Sequence, residues 1–167
     1  MRRRALACGG RVVVALGLGG GASALVGCAP GEPACGPARA LVERVLDGDT
    51  IDLEGGERVR YLLVDTPELG DCYGEEARRY NNDLVAGKEV ELVYDPDGCR
   101  DAFGRLLARI SVGGREVNSL LVERGFACTL FIPPAGAELA ADYEDLEQLA
   151  REAGRGMWSA CAEVTCD

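Results

Sequence analysis

Between residues 47 and 67 turn-forming residues cut the chain into short pieces, and this punctuation constrains the fold more than any other feature. Asp47-Gly48-Asp49 precedes Thr50 to Leu53, Glu54-Gly55-Gly56-Glu57 follows, and the next apolar run, Arg58 to Val64, is stopped by Pro67. Short apolar runs joined by Asp/Gly turns form hairpins, and proline cannot continue a central strand. With Ala38 to Leu46 as a first strand, the segment predicts a three-stranded antiparallel meander. Further strands are expected at Glu89 to Tyr94 and Arg105 to Val112, with an extended stretch from Phe126 to Ile132. Apolar residues recur at helical spacing in Gly74 to Ala86 and Ala137 to Ala153, and Val117 to Arg124 ends at a glycine suited to a C-cap. Five short strands and three helices predict an α+β fold, a five-stranded β-barrel of the OB type, which is a frequent platform for nucleic acids.

The chain opens with Arg2, Arg3 and Arg4, followed by a Gly-rich apolar stretch, Val12 to Val26. That stretch is short for a membrane span of about 20 residues and reads as a signal peptide. Leu25-Val26-Gly27-Cys28 resembles a bacterial lipobox, in which Cys28 would take the lipid. The expected organisation is a lipoprotein-type signal peptide over 1–27, a Pro/Gly tether over 28–37 and a folded domain over 38–167. The expected location is the cell envelope through that lipid, or otherwise secretion. Cleavage before Cys28 removes four of the 18 basic residues and none of the 28 acidic ones, so the net charge moves from −10 to −14.

Cys35, Cys72, Cys99, Cys128, Cys161 and Cys166 remain after cleavage. An even number in an exported chain reads as disulfides. No C-x-x-C pair exists, which argues against zinc. A link between Cys35 and one of the late cysteines, Cys161 or Cys166, would tie the two ends together.

The chain has no histidine. This excludes Ser-His-Asp and Cys-His nucleophile pairs and leaves acid–base chemistry to carboxylates, Lys, Tyr or Cys. Acids collect where strands end, with Asp47 and Asp49 in one turn and Asp65 and Glu68 in another. Arg60 lies in a strand apolar on both faces, so its guanidinium is expected to be partly buried and to need a partner. Carboxylates that converge without histidine form a hard-oxygen site suited to Ca²⁺ or Mg²⁺. A further carboxylate can serve as base, and arginine forks match phosphate oxygens. Together these parts describe phosphodiester hydrolysis.

In this order the pieces resemble the staphylococcal nuclease (thermonuclease) family. The stretches that carry the resemblance are Val45-Leu46-Asp47-Gly48-Asp49-Thr50, Arg60-Tyr61-Leu62-Leu63-Val64-Asp65-Thr66-Pro67-Glu68, Tyr73-Gly74-Glu75-Glu76-Ala77, Asp101-Ala102-Phe103-Gly104-Arg105 and Gly156-Met157-Trp158. The resemblance implies that Asp49 and Asp65 bind Ca²⁺ through their carboxylates and Thr66 through its backbone carbonyl. It implies Glu68 as general base, with Arg60 and Arg105 holding the scissile phosphate. The implied activity is calcium-dependent cleavage of DNA and RNA with little sequence choice, leaving 3′-phosphate ends. A monomer is expected.

The sequence also departs from the family pattern. Ala102-Phe103 replaces the usual Lys-Tyr, and Phe131 and Pro133 replace two tyrosines that face the nucleotide. The acidic charge opposes a polyanion, so the cleft is expected to rely on Ca²⁺, Arg58, Arg60, Arg100 and Arg105, with distant charges screened. The rival reading is a catalytically idle OB-type lipoprotein that binds nucleic acid or a partner.

Overall fold

The computed structural model describes residues 35–166. The signal peptide, the lipobox cysteine Cys28 and most of the tether lie outside the described residues. Strands β1 (Arg39–Val45), β2 (Thr50–Leu53) and β3 (Arg58–Tyr61) form the expected meander, β1 antiparallel to β2 and β2 to β3. A short strand β4 (Leu63–Asp65) and helix α1 (Gly74–Val85) follow, then β5 (Glu89–Tyr94) and β6 (Leu106–Val112). The chain continues through β7 (Arg115–Glu116), α2 (Val117–Glu123), β8 (Cys128–Leu130), α3 (Ala140–Glu152) and the single turn α4 (Met157–Ala160).

Five strands close into a barrel in the order β3-β2-β1-β5-β6, and a parallel pairing of β3 with β6 completes the circle. The α+β, OB-like barrel with three principal helices is therefore what the chain adopts. Alternation explains the barrel wall: in β5 Val90 and Leu92 are buried between exposed neighbours, and in β6 Leu106, Ala108 and Ile110 are buried. They meet Val42, Ile51, Leu53, Val59 and Tyr61 in the core. Each large apolar side chain withdrawn from water there contributes about 1.5–3 kcal/mol.

One strand was expected from Arg58 to Val64, but the structure has two. Leu63 adopts a left-handed backbone, φ 63°, which breaks the ladder and sends β4 to pair with β8 instead of the barrel. Left-handed backbone is uncommon outside glycine, and here Leu63 is held by its own burial. Buried Asn118 of α2 repairs the break. Its amide donates to the Leu62 and Ala108 carbonyls, and its side-chain oxygen accepts from Ile110 N–H. The extended stretch ending at Ile132 is regular only over β8, and the longest helix begins at Ala140, later than the periodicity implied.

All six cysteines among the described residues are paired: Cys35 with Cys99, Cys72 with Cys161, and Cys128 with Cys166. Cys35 thus does not join the late cysteines. Its segment runs beside β5, where Leu92 N–H donates to the Ala38 carbonyl and the Tyr94 hydroxyl donates to the Pro37 carbonyl, so the loop after β5 is its neighbour. Met157, fully buried, plugs the C-terminal segment. Trp158 is half-buried beneath the Arg151 guanidinium, which lies 4.0 Å from its ring centre.

Candidate active site

The turn between β1 and β2 delivers Asp49 to the interior. Asp47 accepts from Asp49 N–H at 3.0 Å and shapes the turn, and Asn81 of α1 pins it by donating to the Asp47 carbonyl. The Asn81 side-chain oxygen in turn accepts from the Tyr61 hydroxyl. Gly48 is required by close approach, since a Cβ there would lie 2.6 Å from the Thr66 side chain.

Asp49 is 4% exposed, and both of its carboxylate oxygens are engaged. Oδ2 accepts from Thr66 N–H (2.8 Å), the Thr66 hydroxyl (2.9 Å) and Arg60 Nη1 (3.0 Å), and Oδ1 accepts from the Thr50 hydroxyl (3.1 Å). Arg60 Nη2 donates to Asp65 Oδ1 at 2.6 Å. Because of the break at Leu63, the chain curls around this guanidinium, and Nη1 also donates to the Tyr61 and Val64 carbonyls. The partner expected for a buried Arg60 is therefore a pair of carboxylates, Asp49 and Asp65.

Burial pushes the Asp49 carboxyl up from 3.8 to about 7. Arg60 and the Thr66 hydrogen bonds pull it down, and the Asp47 charge adds to the rise. The folded state thus keeps a proton that the unfolded chain has released between about pH 4 and pH 7. Stability from this group is complete below about pH 4 and is lost as pH rises through about 7. Urea titrations at pH 4, 5.5 and 7 in the presence of chelator should show that decline, and Asp49→Asn should flatten it. An equal slope in the variant would refute the assignment.

Two cavities flank the cluster. The larger, about 410 Å³, has Arg60 and Arg105 in its lining together with Phe103, Leu130 and Ile132. Arg105 is oriented by Asp101, which accepts from its Nε at 2.6 Å and from its backbone N–H at 3.0 Å. Asp101 also accepts from Phe103 N–H, so it shapes this loop. The smaller cavity, about 30 Å³, is lined by Asp65, Thr66, Glu68, Asp71 and Thr165. The structure therefore gathers Asp49, Arg60, Asp65 and Thr66, sets Arg105 with Arg60 on one cavity, and leaves Glu68 on an exposed loop beside Asp65 and Thr66.

One expectation about the surroundings is corrected. Arg58 and Arg100 do not stand as unpaired cations at the cleft: Arg58 Nε meets Asp52 at 2.7 Å, and Arg100 meets Glu57 at 2.8 Å. The exposed ring at the larger cavity is Phe103, 85% exposed and 5.4 Å from the Arg105 guanidinium carbon, whereas Phe131 packs against the core. Asn81 and Asn118 support the site, and nothing in their sequence spacing set them apart from ordinary helix-surface residues.

Among the described residues no group of three or more His, Cys, Asp or Glu side chains gathers as a metal cage. Asp49 and Asp65 nevertheless converge on one cation, the guanidinium of Arg60. The donors are hard oxygens, and the raised carboxyl of Asp49 marks a place where further positive charge is favourable. The residues present fit an oxygen-preferring divalent ion.

Residues 58–160 match the family described as staphylococcal nuclease homologue. The chain is 35% identical over 133 residues to the endonuclease YncB of Bacillus subtilis (strain 168), an alignment covering 74% of this chain and 63% of that protein. It is 34% identical to the SPbeta prophage-derived endonuclease YokF of the same organism, covering 74% of this chain and 45% of the relative. A thermonuclease of Staphylococcus intermedius is 39% identical over 103 residues, covering 56% of this chain and 61% of its own. The chain thus spans between about half and just under two thirds of the length of these relatives.

Proposed function

The chain belongs to the staphylococcal nuclease family, and from that premise we propose that it is a calcium-dependent nuclease hydrolysing the phosphodiester bonds of DNA and RNA, with little sequence preference and 3′-phosphate products. The observation that carries the reading is the double engagement of Arg60. Its guanidinium binds the two aspartates and also lines the cavity that Arg105 shares.

In this reading Asp49 and Asp65 would hold Ca²⁺, with Thr66 contributing its backbone carbonyl. When bound, the ion would supply positive charge against that building on the phosphoryl oxygens. Glu68 accepts the proton of the attacking water. Its exposed position beside Asp65 leaves it open to solvent, the source of that water. Arg60 and Arg105 present planar forks to the phosphate, and both are oriented beforehand by carboxylates, Arg60 by Asp49 and Asp65 and Arg105 by Asp101. Phe103 and Ile132 offer apolar surface at the cavity mouth, and a base stacked on an aromatic ring there is worth about 1–3 kcal/mol. The protein would act as a monomer exported with a signal peptide over 1–27, a lipid on Cys28, a tether over 28–37 and the catalytic domain over 38–167.

The test is direct. The purified chain is incubated with plasmid DNA and with RNA, in Ca²⁺ and in chelator. Cleavage with Ca²⁺ that chelator abolishes supports the proposal, and intact nucleic acid in both overturns it. The acidic charge and the replacement of the substrate-facing tyrosines at Phe103, Phe131 and Pro133 favour a second reading, a catalytically idle module that binds nucleic acid or a partner. Micromolar oligonucleotide binding without cleavage over hours would select it.

A further inference from the structure

Residues 161–166 follow α4 and take no part in a helix or strand. The segment is covalently fixed near both ends. Cys161 is bonded to Cys72, in the loop between Glu68 and α1, and Cys166 is bonded to Cys128, the first residue of β8. Cys128 stands in register with Asp65 across the β4–β8 pair. Between the two bonds the Thr165 hydroxyl donates to Asp71 Oδ2 at 3.3 Å, and Thr165 lines the small cavity with Asp65, Thr66 and Glu68.

We propose that this stapled strap is a positioning element of the active site, fixing the loop that carries Glu68 against the strand that carries Asp65. The inference rests on the nuclease reading above. Within the loop the backbone hydrogen bonds are local: Asp71 N–H donates to the Glu68 carbonyl at 3.0 Å and Gly74 N–H to the Asp71 carbonyl at 3.2 Å. An exposed loop held by such turns belongs to the easily opened part of a fold. A general base needs tighter control, since a displacement of about 1 Å can cost about 100-fold in rate. One crosslink grips the loop from the C-terminal side, the other grips the strand beside Asp65, and a short strap joins them. The third disulfide, Cys35–Cys99, lies at the entry to β1 and reaches neither.

The test compares the parent chain with two paired variants, Cys72→Ser with Cys161→Ser and Cys128→Ser with Cys166→Ser. Ile110→Ala, a destabilising change in the barrel wall away from the strap, serves as control. All are assayed below their melting temperatures. Each serine pair should lower kcat on DNA by about tenfold or more with KM within about twofold, a misplacement effect. Amide hydrogen exchange over residues 68–73 should rise in the same variants while the barrel strands stay protected. Ile110→Ala should move neither readout. Unchanged exchange in the loop, or a kcat loss no larger than that of Ile110→Ala, overturns the proposal. A parent chain with no nuclease activity would refute the function instead, and the exchange measurement would then decide the strap by itself.

Discussion

Glu68→Gln should lower turnover on DNA by about 10²–10⁴-fold, the usual contribution of a positioned general base. The side chain is exposed on its loop, so the substitution should leave stability within about 0.5 kcal/mol and the melting temperature within about 2 °C. Arg105→Ala should cost about 10²–10³-fold, as removal of one charge-stabilising donor does. Because Arg105 is paired with Asp101, that variant also frees a carboxylate next to the incoming phosphate, and KM should rise with it. Single-turnover rates with Ca²⁺ and intact melting curves check both. Full activity in Glu68→Gln would remove it from the chemistry.

Arg60→Met separates stability from catalysis in another way. The guanidinium is the shared partner of Asp49 and Asp65 and a donor to two backbone carbonyls. Its removal strands a buried carboxylate, and breaking a buried pair in this manner costs about 3–5 kcal/mol. The loss should be largest above neutral pH and should shrink as pH falls toward about 7, because a protonated Asp49 no longer needs a cation. With Arg60 gone, the largest influence lowering the Asp49 carboxyl is gone and only the Thr66 hydrogen bonds remain, so its value climbs above the present level of about 7 and the recovery on acidification starts above neutrality. Adding Asp49→Asn should restore part of the stability and none of the activity. Urea titrations of the two variants and the parent at pH 6 and 9 decide this; a deficit independent of pH would mean that the charge pair is not its origin.

The turns at Asp47-Gly48-Asp49 and Glu54-Gly55-Gly56-Glu57 were readable because Gly and Asp announce hairpins locally, and the meander follows from them. The motifs Val45 to Thr50 and Arg60 to Glu68 were readable as a set, which is why the two aspartates and the arginine could be named before they were seen together. What could not be read depends on partners distant in the chain. The break at Leu63 breaks no local rule of composition; it exists because β8 offers Asp65 and Val64 a better partner than the barrel does. The repair by Asn118 follows only from that break. Arg58 and Arg100 looked available because their acids, Asp52 and Glu57, are brought to them by the β2–β3 hairpin and by the loop before β6. Phe103 was read as a lost hydroxyl, whereas its position makes it the ring most open to a ligand.

The barrel closes where β3 meets β6, with Arg60 in register with Leu107, only two residues beyond Arg105. This seam unites segments 47 positions apart, a span close to the 48 to 52 positions bridged by β1 and β5, whereas the other barrel pairings are more local. Contacts of such span form late, since loop entropy must be met before they repay it. A chain with its hairpins complete and this seam open would leave the guanidinium forks of Arg60 and Arg105 far apart. In the proposed nuclease, therefore, both forks face one cavity only once this seam has closed.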